Sequence, residues 1–529
     1  MKECSDNLLI QPLIHAAPCG PLSLPGVLAA LARDAVESFP ALRPHQMPAW
    51  HMFLVQLAAL ALHRGGQSDM PEDEEAWCRL LRGLTPDFPE DEPWRLAVSD
   101  WLKPAFLQPP VPVGLKLDNP VSSADALDLL ITAKNHDLKQ AVAQNGAADD
   151  WVFSLVSLQT GEGYGGAGNQ GIARMNGGSS SRAMMALAPL PPANAKSMAP
   201  RPGPWFHRDV LVLLQAREKQ LEDNEKFPSE GGIALVWQEL WPEGAQLRLS
   251  QLDIWFIEIC RRIRLIEKDG QFTAVKGTSK ATRIDAKNFK GALDDPYTPV
   301  HKTEDKSLTL GEGDFDYKRL TDLLFSGDWV LPLLAKPAAF EAAGSPQALV
   351  CAALSRGNSK TDGFKTRIVP VGHHATAMVG DKRQQLHELA QTQIQEISGF
   401  DKAISVALAL AAAGGERDMI KKEHYARTTE ARVQFDRAAD LIFFPHLWAR
   451  FEARDGDEDA GRRERHAFQS KLKIRAEHVF EGALPTIPCA AIFRPRAEAR
   501  ARNAFNAMIR KSFPLLFQKD DTEVHAYAS

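Results

Sequence analysis

The stretch Leu386-His-Glu-Leu-Ala-Gln-Thr-Gln-Ile-Gln-Glu-Ile397 sets apolar residues at 386, 390, 394 and 397. Steps of four, four and three line one face of an α-helix, so this run opens a helix with one wall turned to a core. The same texture continues to the end of the chain. Val433, Ala438, Leu441 and Ile442 mark a second helix, Phe468 to Phe480 a third, and Ala497 to Ile509 a fourth. Gly414-Gly415 and Pro485 to Pro488 fall between helices, and Pro445 is expected to interrupt the second. Four helices in about 150 residues predict an all-α four-helix bundle over residues 376–529.

Residues 1–375 carry a different texture. Leu8 to Ile14 is expected to be extended and the apolar runs Val27 to Leu31 and Ala49 to Leu62 helical, with Pro-rich connectors at Pro86 to Pro93 and Pro109 to Pro112. Strand-like pieces follow at Leu247 to Leu252 and Arg367 to Val371. No βαβ alternation or internal repeat is present, so the fold class is α+β: a large mixed N-terminal domain followed by the helical bundle.

Composition narrows the function classes. The chain has 529 residues, 44% hydrophobic and 24% charged, which is ordinary globular usage and excludes wholesale disorder. Six cysteines lie scattered without a C-x-x-C pair, no charged and apolar export segment opens the chain, and no apolar run approaches the roughly 20 residues that span a bilayer. The expectation is a cytoplasmic protein with no membrane contact and no cofactor.

Net charge is −5, which attracts nucleic acid nowhere in general. Local bias is stronger. Asp69 to Glu92 holds nine acids against two bases, Arg261 to Lys290 nine bases against three acids, and Arg462 to Lys511 twelve bases against four acids. Each tract is either a solvated face or a nucleic-acid footprint.

Catalytic templates fail in context. Gly161-Glu-Gly163-Tyr-Gly-Gly166 fits the dinucleotide-binding G-x-G-x-x-G pattern, but the glycine-rich sequence after it cannot form the required helix, and no acid follows Glu162 until Asp209. Asn135-His136 lacks the further histidines of an HNH nuclease, His387-Glu388 lacks a second zinc-binding histidine, and no nucleophile elbow or P-loop occurs. The eight glycines between 161 and 178 serve either turn geometry or close backbone approach to a ligand. Residues 163–208 contain no acid but include Arg174, Arg182, Lys196, Arg201 and Arg208, so nothing there would repel a phosphate backbone. Thr132-Ala-Lys-Asn-His-Asp137 packs a cation, an amide, an imidazole and a carboxylate into consecutive positions, as a recognition loop does. These residues favour a binding protein over an enzyme.

Asn7-Leu-Leu-Ile, the loop from Thr132 to Lys139, the run from Leu158 through Arg174-Met-Asn-Gly-Gly178 and the helical C-terminus together resemble the CasA family, the large subunit of the type I-E CRISPR surveillance complex Cascade. The resemblance implies a non-catalytic subunit that reads the protospacer-adjacent motif in double-stranded DNA, promotes strand opening and R-loop formation, and helps recruit a helicase-nuclease. Its implied partners are guide RNA and the backbone, 5′-end-capping and small subunits.

Position by position, the resemblance places a DNA-binding glycine loop on Gly163, Tyr164, Gly165 and Gly166, and a loop gripping the guide end on Lys134, Asn135, His136 and Asp137. A minor-groove wedge would fall on Asn358, Ser359, Lys360 and Thr361. The family's hairpin lysine has three competitors, with Lys280 and Lys287 ranked ahead of Lys276. Arg261-Arg262 stand where some relatives carry a cysteine cluster, so no zinc is expected. Arg496 and Arg500, four apart on one helical face, are candidates for holding displaced strand. The competing reading is a scaffold subunit that binds guide RNA and partner proteins without touching target DNA.

Overall fold

A computed structural model describes residues 6–127, 146–192, 199–311, 313–341, 345–357, 360–372, 374–455 and 458–518. The chain divides into two compact units, Met1–Phe315 with Gly327–Thr376, and Asp316–Ser326 with Ala377–Ser529.

The first unit is mixed. Helix α1 (Leu24–Ala32) starts at Ser23, whose hydroxyl accepts the Gly26 N–H at 3.0 Å, with Pro25 in its first turn, where a missing N–H costs nothing. Helix α2 (Met47–Arg64) is buried continuously from Pro48 to Leu62, so it runs through the core. Helices α3 (Ala148–Gly161) and α4 (Pro202–Glu222) pack against it.

Three longer strands form an antiparallel sheet: β5 (Gln347–Gly357) lies between β1 (Met184–Pro189) and β6 (Lys360–Gly372). Strand β2 (Leu252–Ile257) pairs in parallel with Ile233–Leu235, and β3 (Arg262–Lys268) forms a hairpin with β4 (Gln271–Gly277). Asp269 and Gly270 turn that hairpin with φ of 54° and 78°, both left-handed, as a two-residue turn between twisted strands requires. Two expectations fail here. Leu8 to Ile14 is not a strand: Leu8 and Leu9 are buried in a turn, and a short strand begins only at Ile14. Of Leu247 to Leu252, only Leu252 lies on a strand.

The second unit is helical. Helix α5 (Tyr317–Phe325) joins α6 (Lys382–Ala412), α7 (Thr429–Glu452), α8 (Glu458–Ala483) and α9 (Arg494–Ser512). Phe400 stacks on Phe513 at 4.0 Å and Phe480 on Phe505 at 4.5 Å. Buried Glu396 is satisfied by Arg450 at 2.9 Å, Arg465 at 2.7 Å and Gln469 at 2.8 Å. Pro445 does not interrupt α7, which runs on to Glu452. The proline is exposed, so the carbonyl of Leu441 that it strands faces water. Val433 and Leu441 also face outward, and the buried stripe is Phe435, Ala439, Ile442 and Phe443.

Candidate nucleic-acid interface

Helix α3 ends at Gly161, and the chain leaves it extended through Glu162 into the glycine segment. Gly163 N–H donates to the Ser180 carbonyl at 3.1 Å, Tyr164 N–H to Gly178 at 2.7 Å and Gly165 N–H to Asn169 at 2.9 Å, while Asn169 N–H returns to the Gly166 carbonyl at 2.9 Å. The four residues are therefore a hydrogen-bonded loop with a fixed shape.

Its glycines fall into two kinds. A Cβ on Gly163 would sit 2.5 Å from the carbonyl oxygens of both Gly178 and Ser180, and one on Gly171 2.8 Å from the Gly163 carbonyl carbon; close backbone packing forbids side chains at both positions. Gly166 is different: its φ is +111° and open space surrounds the place a Cβ would occupy. Tyr164 is exposed beside it. One side of the loop is built into the fold and the other offers bare backbone.

Arg261 holds the fixed side. Buried at 4% side-chain exposure, it donates to the Gly163 carbonyl at 2.8 Å and pairs with Glu162 at 3.2 Å. Gln159 positions it, accepting the Arg261 N–H at 2.8 Å and donating to the Arg261 carbonyl at 3.0 Å. Beneath the segment Ile172, Met175 and Cys260 form a small apolar cluster, where burial pushes the Cys260 thiol up to about 12.

The three lysines separate. Lys276 is the one on the β3–β4 hairpin, paired across it with Ile263. Burial lowers its pKa, Glu162 opposes that shift and Arg261 adds to it, so the lysine lies within the field of the loop's anchor. Lys280 and Lys287, ranked ahead from the sequence, lie on no strand. Both are exposed, and Lys280 stands beside the glycine segment, since Ser279 N–H donates to the Gly168 carbonyl at 2.9 Å. Asp269-Gly270, a turn pair between strand-like runs, is the sequence signal that would have placed Lys276 on a hairpin.

The arginines expected to leave the segment open to phosphate are engaged inside the fold. Arg174 bonds the Phe256 carbonyl at 2.9 Å and lies 3.7 Å above the Phe256 ring, and burial brings its pKa down to about 10. Arg182 binds Asp295 through two bonds of 2.6 and 2.7 Å. Arg208 pairs with Asp209 and Glu341 in the interior, whereas Arg201 pairs with Asp34 at the surface and stays exposed. Lys196 lies outside the described residues. The basic tract from Arg261 is tied up similarly: Arg262 pairs with Glu243, Arg264 bonds the carbonyls of Val98 and Lys103, and Arg283 those of Glu239 and Leu240. Sequence counting had no means of telling a buried guanidinium from a free one.

Lys134, Asn135, His136 and Asp137 lie outside the described residues, as do Asn358 and Ser359. Lys360 and Thr361 open β6, opposite Gly357 and Arg356, so the strand begins earlier than the expected Arg367. In the helical unit Arg496 and Arg500 do share one face of α9. Both bind Glu416, at 3.1 and 2.9 Å, and the carbonyls of Gly414 and Gly415 that follow the end of helix α6, while remaining about half exposed. Among the described residues no cluster of ligating side chains could hold a metal ion, and no helix is long and apolar enough to cross a membrane.

Compared as sequence, the chain matches no protein-family model and no curated protein. Solved structures do match it along nearly its whole length. Thermobifida fusca Cse1 aligns with a TM-score of 0.64 at 13% identity, covering 97% of this chain and 99% of that one. Thermus thermophilus CasA aligns at 0.62 and 14% identity over 96% and 99%, and the CRISPR-associated protein Cse1 from Acidimicrobium ferrooxidans at 0.61 and 14% over 96% and 98%. Both units and the loop between helix α3 and strand β1 are thus set in an architecture already known, and the chain has the fold of the Cse1/CasA proteins.

Proposed function

We propose that the chain is the non-catalytic large subunit of a type I-E CRISPR RNA-guided complex, reading the motif that flanks the target in double-stranded DNA and promoting the strand opening that leads to an R-loop. The observation that carries this reading is the glycine loop: within a fold shared end to end with Cse1/CasA proteins, Gly166 presents bare backbone beside exposed Tyr164, on a rigid, hydrogen-bonded support anchored through Gly163. A minor groove roughly 6 Å wide admits backbone more readily than side chains, and its degenerate acceptor pattern suits tolerant reading of several motifs. Lys276 on the β3–β4 hairpin is the lysine we assign to the same groove, with Lys280 at its flank.

In this reading Lys134 to Asp137 grip the complex near the guide end, Asn358 to Thr361 wedge beside the motif, and the subunit helps recruit the helicase-nuclease. The test is electrophoretic binding of the reconstituted complex to duplexes with a randomised flanking motif. The expected result is selection of a restricted motif set that disappears when this subunit is omitted. Binding that is indifferent to the flank, with assembly intact, would instead support the scaffold reading, which the internal pairing of so many arginines favours.

A further inference from the structure

Reading a base pair from the minor groove takes hydrogen-bonding groups, and the backbone of the glycine loop has few left to offer. Three of its four N–H groups are spent inside the fold, Gly163 on the Ser180 carbonyl, Tyr164 on Gly178 and Gly165 on Asn169. Two of its carbonyls are spent as well, that of Gly163 on Arg261 at 2.8 Å and that of Gly166 on the Asn169 N–H at 2.9 Å. Side chains are scarcer still. Three of the four residues are glycine, and a Cβ would meet two carbonyl oxygens at 2.5 Å on Gly163 and the Arg261 guanidinium at 3.1 Å on Gly165. Tyr164 therefore carries the loop's one side chain.

That side chain stands on a fixed base. Tyr164 is 44% exposed, and its hydroxyl has no hydrogen-bond partner among the described residues. The backbone is tied down on both sides, by Arg261 before it and by Asn169 after it, so only two side-chain torsions remain to be ordered when the phenol meets a partner. What the hydroxyl can distinguish follows from the groove. A·T and T·A pairs show only acceptors there, A N3 and T O2, and a G·C pair adds the guanine N2 amine as a donor. A hydroxyl donates one hydrogen and has lone pairs to accept. Over A·T it can donate and no more; over G·C its oxygen can also take the amine.

Resting on the reading that this loop faces the flanking motif, we propose that Tyr164 Oη accepts the 2-amine of a guanine, which makes Tyr164 the specificity-determining residue of the loop and G·C the pair it favours. Edge-on, the ring is thin enough for a groove roughly 6 Å wide. Gly166, with open space where a Cβ would stand, sets how closely the groove approaches, and Tyr164 sets which pair is preferred. The two act on different quantities, total affinity and the ratio between bases.

The test removes or adds the amine alone. Duplex targets carrying inosine for guanine, or 2,6-diaminopurine for adenine, at each flanking position in turn are titrated against the complete reconstituted complex. At one position inosine is expected to weaken binding roughly two- to tenfold, the range of one hydrogen bond, and diaminopurine to strengthen it by a similar factor. Altered duplex melting would act in the opposite sense with both bases, because inosine pairs more weakly than guanine and diaminopurine more strongly than adenine. Tyr164→Phe, which keeps the ring and loses the oxygen, should bring both ratios to about one with assembly unchanged. Equal affinity for guanine and inosine at every flanking position of the parent complex would overturn the proposal without any variant. A ratio that survives Tyr164→Phe would give the amine to another group, such as the neighbouring Asn169 amide, and overturn it equally. Motif selection that persists in either case shows that only the tyrosine assignment has failed, whereas a parent complex indifferent to every flank defeats the minor-groove reading as well.

Discussion

Substituting alanine at Gly166 and at Gly163, one at a time, separates recognition from folding. At Gly166 nothing lies within reach of the new methyl, so the cost to the free protein is backbone strain alone, about 1–3 kcal/mol for a residue forced to φ +111°. In a unit of this size that lowers the melting temperature by only a few degrees. A DNA groove seated on the bare backbone would meet the methyl directly, and affinity for motif-bearing duplex should fall about tenfold or more, equivalent to at least about 1.4 kcal/mol. At Gly163 the order reverses. Its methyl would sit 2.5 Å from two carbonyl oxygens, far inside ordinary contact, so the loop must move and the bonds to Gly178 and Ser180 break. The melting temperature should drop by considerably more, and assembly with it. Differential scanning fluorimetry of each subunit, paired with duplex titration of each reconstituted complex, reads both quantities. Full affinity in the Gly166→Ala complex would remove the loop from the DNA-reading surface, whatever happened to stability.

Three further outcomes follow from the charges. One Glu416 carboxylate serves both Arg496 and Arg500, leaving roughly one positive charge unneutralised, so the Arg496→Ala/Arg500→Ala complex should bind every target sequence more weakly and show a log–log salt slope flatter by about 0.7; a slope change near zero excludes strand contact there. Arg182→Met leaves Asp295 buried and unpaired and should cost about 3–5 kcal/mol in chemical denaturation, partly restored by adding Asp295→Leu. Burial, with Lys471, Arg450 and Arg475 nearby, brings the His446 pKa down to about 4. A folded pKa below the unfolded value means the unfolded chain binds the extra proton, so helical-unit stability should be complete above about pH 6.5 and decline towards pH 4, and His446→Phe should flatten that decline.

How much of this was legible depends on what each signal measures. Period-3.6 patterning located the C-terminal helices because burial acts through one face over many residues, yet it put Val433 and Leu441 on the wrong side and took Pro445 for a break, since a proline on a wet face costs little. Buried residues in Leu8 to Ile14 looked like a strand because a packed turn hides side chains as thoroughly as a sheet does. The glycine loop was identified by composition, but the division between Gly163 and Gly166 depends on neighbours distant in sequence, Gly178, Ser180 and Arg261. Partner acids such as Asp295 and Glu341 are likewise remote from the arginines they neutralise, which is why local charge tracts overstated the free positive surface.

The split character of the glycine loop bears on how such a protein could be retargeted. Variation at Gly163, Gly171, Glu162 or Arg261 would be penalised through the fold, whatever DNA is being read. Exposed Tyr164 is under no such constraint from the core, whereas a Cβ on Gly165 would press on Arg261 at 3.1 Å and one on Gly168 would meet Thr278 at 2.5 Å. If the loop reads the flanking motif as proposed, altered preference should therefore be reached in directed evolution by exchanges at Tyr164 and at exposed Lys280, with the anchoring residues left as they are. A library confined to those outward positions would keep nearly all its members folded.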